Sequence, residues 1–247
     1  MNHISTDNLG SQYLSASEKL IENLIGIIGE TNEDIVYRKH VFGILQRFSF
    51  IKKSQLTMIS FGIIPMIFKI FRNESDQLQY SSIQYLMGLI MNLVFKKESI
   101  VNFEKHKSDV FQILLKYIDV DDNQIRGYVN GTFYMLLHIE SIRKEAVEKY
   151  HMKEIIEKML EKSENILENE DPEDIEVDHY NIVIRQYRYI LERLEETGVT
   201  TVEVTDEEDE EDYDDDDVEE ELDMLSDNDE SNSSEFIEGE ENSLGGE

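Results

Sequence analysis

A chain of 247 residues with 55 acidic and 23 basic side chains carries a formal charge of −32, a balance that repels phosphate backbones and excludes nucleic acid as the partner. It contains no cysteine, so disulfides and thiolate-ligated metals are excluded, which fits a reducing compartment. The charge is divided unevenly: residues 203–247 hold 24 acids and no base, leaving −8 on residues 1–202. Self-repulsion and few apolar side chains predict a disordered acidic tail over residues 197–247, behind a body of about 190 residues able to bury roughly 70% of its unfolded surface.

In chain order, residues 1–14 read as a flexible N-terminus, without the basic and apolar runs of a secretory signal. Apolar residues then recur at helical spacing: Leu20, Leu24, Ile27 and Ile28, followed by Val41, Ile44, Leu45 and Phe48. The most apolar stretch, residues 59–71, is broken by Pro65 and Lys69 and is shorter than the ~20 residues that span a bilayer, so no membrane insertion is expected and the chain reads as soluble. Ile83, Leu86, Met87, Ile90, Leu93 and Val94 form a wide stripe, as on a helix buried on more than one side. Val110, Ile113, Leu114, Tyr117 and Ile118 come next, then Val129, Phe133, Leu136 and Leu137, then Ile155, Ile156 and Met159. Residues 163–178, acid-rich and containing Pro172, read as a loop before a last helix over residues 180–196 that carries Ile184, Tyr187, Ile190 and Leu194. No stretch alternates with period two.

Gly43, Gly88 and Gly131 are 45 and 43 residues apart, each followed by an apolar helical segment and then by a charged stretch such as Lys52-Lys53 or Lys96-Lys97-Glu98. A period in the low forties built of helices is that of an armadillo or HEAT unit, whose apolar face is buried only by stacking on neighbours. The predicted fold class is therefore all-α: an armadillo/HEAT-like, right-handed helical-repeat stack over residues 15–196, with three clear units and a divergent last one. A plain helical bundle is the alternative.

No catalytic constellation is legible. The six histidines have no metal-ligand spacing, and there is no P-loop, GxSxG or HExxH pattern, so neither enzyme activity nor a cofactor is expected. Asp119, Asp121 and Asn123 imitate the start of a calcium loop, but Gln124 and Asn130 stand where glycine and glutamate are required. An inter-repeat turn supplying helix N-caps explains these residues better. Arg38, Lys39, Arg47, Lys52 and Lys53 could form a local basic face, with a solvated helix face as the simpler reading. Asn92 and Asn130 lack the tryptophans with which importin-like stacks read basic peptides. Ser226, Ser231, Ser233 and Ser234 lie among acids and are candidate sites for an acidophilic kinase.

Residues 125–137, Ile-Arg-Gly-Tyr-Val-Asn-Gly-Thr-Phe-Tyr-Met-Leu-Leu, running into Ser141-Ile142-Arg143-Lys144-Glu145-Ala146, resemble the C-terminal armadillo region of the ciliary LisH-domain family of armadillo repeat-containing protein nine. Residues 80–93 and 184–194 are similar to two further segments of that family, in the same order. Neither a LisH-like helix pair nor a coiled coil is seen upstream, as in a short paralogue or a partial product. The resemblance implies a non-enzymatic scaffold of cilia, basal bodies and centrioles, acting on axonemal microtubules alongside TOG-domain and coiled-coil partners. It implies a location in cytoplasm, cytoskeleton and cilium, the nucleus being the alternative. A repeat stack binds proteins on its concave face, where Arg126, Tyr128 and Asn130 are the candidate partner-binding residues. Packing and capping of the helix start is an equal reading of Tyr128 and Asn130. The other function to weigh is a chaperone or adaptor in which the acidic tail holds basic proteins.

Overall fold

The computed structural model describes residue 5 and residues 7–30, 36–171 and 176–196. Among them are twelve α-helices and no strand: α1 Asn8–Ser15, α2 Glu18–Glu30, α3 Val36–Phe48, α4 Lys52–Ser60, α5 Ile63–Glu74, α6 Tyr80–Val94, α7 Lys97–Lys105, α8 Lys107–Tyr117, α9 Asn123–Leu136, α10 Glu140–Glu148, α11 Met152–Asn169 and α12 Val177–Glu195. They group as four units of three. In the last three units the first helix, α4, α7 or α10, is always 9 residues long. The final unit diverges by lengthening its second and third helices to 18 and 19 residues.

Local chemistry sets the helix boundaries. Asp7 caps α1 by accepting from the Gly10 N–H at 3.0 Å. Asp122 caps α9 by accepting from the Ile125 N–H at 2.5 Å, so the acidic run before α9 supplies a cap, as the sequence predicts. Between α4 and α5 the chain turns by 68° through Gly62, whose φ of 75° lies in the left-handed region open to glycine. No single helix among the described residues is long and apolar enough to cross a membrane.

The third helices form the spine, with α6 packed on α3, α9 on α6 and α12 on α9. This explains the wide apolar stripe of α6, in which every residue from position 86 to 94 is buried. Phe42, Phe48, Phe68, Phe103, Phe111 and Phe133 are fully buried along the length of the stack. Phe68 meets Phe103 edge-on at 5.9 Å, and Phe111 stacks on Tyr150 at 4.2 Å, so aromatic pairs join elements of successive units. On the outside, polar contacts repeat with the period of the chain. Arg72 binds Asp109, Ser141 binds Glu104, Lys116 binds Asp76 and Lys162 binds Asp119, at separations of 37, 37, 40 and 43 residues.

Three sequence expectations change. The N-terminus is helical from Asn8, because Asp7 caps a helix that packs on α2 and α3. The stretch expected as a loop over 163–178 is helical as far as Asn169, since Ser163 and Ile166 continue the inward face of Ile156 and Met159; α12 then begins at Val177. Arg38 belongs to no basic face. It is fully buried and bound to the Glu74 carboxylate, with Nη2 also donating to the Ile28 carbonyl at 3.2 Å.

Candidate partner-binding face

The third helices pack closely on one another, and the glycines at positions 43 and 88 permit it. A Cβ at Gly43 would stand 3.2 Å from the Tyr85 ring, and one at Gly88 would stand 3.1 Å from the Tyr128 ring. Tyr85 and Tyr128 each precede the glycine of their own helix by three positions. The second unit therefore presents Gly88 to the unit after it and Tyr85 to the unit before it. Mid-helix glycine costs about 1 kcal/mol relative to alanine, and the ring laid across the bare backbone offsets that cost.

The polar residues of this layer form links between helices. Gln84 of α6 donates to Asp122, the cap of α9, at 3.1 Å, while within α9 Gln124 donates to the Tyr128 hydroxyl at 3.0 Å. Burial pushes the Tyr128 phenol up. Asn92 is interior: its amide donates to Ser49 Oγ at 2.7 Å, while Gln55 bridges the carbonyls of Ser49 and Asn92 at 2.5 and 3.3 Å. Asn130 has no exposed surface and donates to Gln186 Oε1 at 2.9 Å, holding α9 to α12. The Tyr187 phenol is pushed up mainly by burial.

Arg126 is half-buried, donating from Nη2 to the Val120 carbonyl at 2.8 Å and meeting His179 Nε2 at 3.2 Å. Arginine can only donate, so His179 Nε2 accepts and its proton sits on Nδ1. Burial and the Arg126 charge together hold the His179 imidazole below the usual range, consistent with that neutral form. Beside it lies a crevice of about 190 Å³ lined by Asp119, Asp121, Arg126, Lys162, Tyr180 and Tyr187.

Of the three residues singled out from sequence, Arg126 and Tyr128 keep partial exposure on this layer and Asn130 lies beneath it. A second cluster had no sequence signal, because it depends on the register of α12. Arg193 donates to the Tyr134 hydroxyl at 2.8 Å and lies 5.0 Å over its ring, with His138 and Tyr189 packed against the same ring at 5.4 and 6.3 Å. Among the described residues no group of three or more His, Asp or Glu side chains could hold a metal ion. Ser226, Ser231, Ser233, Ser234 and the acidic tail lie outside the described residues.

Residues 58–175 match the family model of the ARM repeats of LisH domain-containing protein ARMC9. This armadillo-repeat region is similar to that of the ARMC9 family. The chain is 33% identical to LisH domain-containing protein ARMC9 of Bos taurus over 137 residues, which is 56% of this chain and 20% of the bovine protein. Against the Homo sapiens protein the identity is 31% over 137 residues, covering 56% and 17%. Against that of Danio rerio it is 30% over 156 residues, covering 63% and 19%. The chain thus spans about a fifth of the length of the curated relatives it matches. No solved structure matches at a significant level. The ARMC9 family match encloses α5 to α11, including the Gly88–Tyr128 contact and Arg126, while α12 with Gln186 and Arg193 lies beyond it.

Proposed function

We propose that the helical stack is a non-enzymatic protein-interaction scaffold that works in cilium or basal-body assembly or in regulation of ciliary microtubules. The observation that carries the scaffold reading is the spine of packed third helices, with partly exposed Arg126 and Tyr128 side chains on α9. Support for the ciliary setting is the family resemblance, and the partners proposed are ciliary or microtubule-associated proteins. Arg126 and Tyr128 are the residues that meet the partner, and Asn130 keeps their helix in register. Tagging the full chain tests the setting: signal at basal bodies or cilia is expected, and diffuse nuclear signal would overturn it.

The residue roles separate by measuring partner capture and thermal stability together. Arg126→Ala is expected to weaken capture with little change in melting. Asn130→Ala removes the buried hydrogen bond to Gln186 and is expected to lower stability by about 1–3 kcal/mol. Capture unaffected by Arg126→Ala would sink the assignment.

The run of 24 acids without a base supports a second reading, a chaperone or adaptor that holds basic proteins by its tail. Deleting residues 203–247 decides between them. Partners and location that survive the deletion belong to the stack, and partners lost with the tail belong to the tail.

A further inference from the structure

The third helices lack one sign of charge only. In a body of net charge −8, α3, α6 and α9 contain no aspartate or glutamate, yet they carry Arg38, Lys39, Arg47 and Arg126. Burial thins both signs, because either ion is costly to take out of water, and it gives no reason to remove carboxylates and leave cations. Packing accounts for Arg38, which is bound to Glu74, but not for the others. On the outer layer α11 carries Glu154, Glu157, Glu161, Glu164 and Glu168, so acids are sorted away from the third helices.

The repeat sets the polar groups of this layer in rows. Lys39 and Gln84 precede Gly43 and Gly88 by four positions; His40, Tyr85 and Tyr128 precede Gly43, Gly88 and Gly131 by three, and all five keep partial or full exposure. Their chemistry is that of donors. Tyr128 accepts from Gln124 at 3.0 Å and keeps its own hydroxyl hydrogen to give, and burial favours the protonated phenol. Arg126 uses two nitrogens on the Val120 carbonyl and on His179, which leaves further N–H groups of its five. The carboxylates at the α9–α12 edge are engaged already: Asp122 by the Ile125 N–H and Gln84, Asp119 by Lys162, and Glu176 by Asn123. Asp121, in the crevice with Arg126, bounds the positive stretch on that side.

We propose, on the reading that Arg126 and Tyr128 meet the partner, that the third-helix layer docks an extended acidic segment of another protein. The segment lies across α3, α6 and α9, with carboxylates on Lys39 at one end and on Arg126 and Tyr128 at the other. Neighbouring helices pack 8–10 Å apart, so three of them span about 20 Å, the length of roughly six to eight extended residues. Charge complementarity selects the occupant, since cations and donors on a layer without acids accept carboxylates and offer a basic segment no counter-charge. The negative charge of the whole chain opposes such a partner at long range, but it is screened beyond about 10 Å at 0.1 M salt, so the local pairing decides.

Fluorescence anisotropy on the full chain tests this, with a fluorescein-labelled peptide of about ten residues in which glutamate alternates with serine. Binding is expected, and it should weaken steeply as salt rises from about 0.1 M to 1 M. Lys39→Gln with Arg126→Gln should weaken it about tenfold, whereas Lys39→Arg with Arg126→Lys should retain most of it, which separates charge from folding. Lys69→Gln with Lys158→Gln removes the same charge from exposed positions on α5 and α11 and should leave binding within about twofold. Equal loss in the two glutamine pairs would overturn the proposal, because any cation would then serve. So would absence of binding, or a peptide of alternating lysine and serine whose binding falls with the inner pair while that of the glutamate peptide does not. Partner capture lost in Arg126→Ala, together with no binding of the glutamate peptide, would leave the scaffold standing and remove only the acidic partner.

Discussion

The inner layer of third helices and the outer layer of second helices join the same four units by different chemistry. Inside, α3, α6, α9 and α12 meet through tyrosine rings on bare glycine backbone and through buried amides, with little water to screen an error. Outside, α5, α8 and α11 are tied by pairs such as Arg72–Asp109, Lys116–Asp76 and Lys162–Asp119, most of whose side chains are substantially exposed. Shape and desolvation therefore set the register on the inside, while the outer pairs follow a register already set. Substitutions of similar chemistry should cost far more where water is excluded.

The largest effect is expected at the point where a charge pair is buried as an inner contact would be. Arg38 and Glu74 have side-chain exposures of 0% and 6%, and the guanidinium also lies 5.3 Å over the Phe42 ring. Glu74→Ala leaves that cation buried without its carboxylate and should destabilise the fold by about 3–5 kcal/mol. Replacing both partners, Arg38→Met with Glu74→Leu, should recover most of the loss, because the desolvation cost of both charges disappears with them. The midpoint of urea unfolding measures both variants. A single substitution costing under about 1 kcal/mol would show that burial does not govern this stack.

Next come the glycines, which allow the comparison within one residue type. Gly88→Ala sets a Cβ 3.1 Å from the Tyr128 ring, so overpacking should cost about 1–3 kcal/mol. Gly26 in α2 has no atom within 4 Å of where its Cβ would lie. Gly26→Ala should gain up to about 1 kcal/mol from helix propensity alone. Equal responses at the two positions would mean that close approach of α9 to α6 is not what Gly88 serves.

The glycine period was legible in the sequence because a missing Cβ is a geometric demand that repeats with the unit. The extent of α6 was legible for the same reason, since a helix buried on two sides must be apolar on both. Other features depend on which neighbour a side chain meets. Asn130 reads equally well as a groove residue or an interior one, and only the approach of Gln186, 56 positions later, decides it. Arg38 reads as a surface cation until Glu74 is brought to it across 36 positions. The acidic composition of residues 163–178 suggested a loop, yet two inward positions, Ser163 and Ile166, were enough to continue α11 as far as Asn169.

Burial also gives the inner layer a pH response. His138 is held below its ordinary range by burial and then by Arg193, with Glu196 opposing, and His179 is held low by burial and then by Arg126. A histidine depressed in the fold takes up its proton more readily when the chain is unfolded. Stability is therefore complete above the unfolded value near 6.5 and falls as pH drops from there toward the folded values. Thermal unfolding followed from pH 7.5 to 5.5 should show a decreasing melting temperature, and the decline should flatten in His138→Gln. An unchanged slope in that variant would place the response elsewhere.

The smallest effect should come from the outer layer, and it tests the comparison from the opposite side. Arg72 holds Asp109 through two hydrogen bonds, Nε at 3.1 Å and Nη2 at 2.6 Å, a better geometry than most surface pairs reach. Even so, the arginine side chain is 54% exposed, and removing it leaves Asp109 partly solvated and still 3.3 Å from His106 Nδ1. No charge is stranded in the interior, so Arg72→Ala should cost only about 0.2–1 kcal/mol, and less at high salt. A double-mutant cycle with Asp109→Ala isolates the pair from the packing of the arginine stem. A coupling as large as the Glu74→Ala loss would mean that the outer ties also set the register, and the two layers would then differ in composition but not in role.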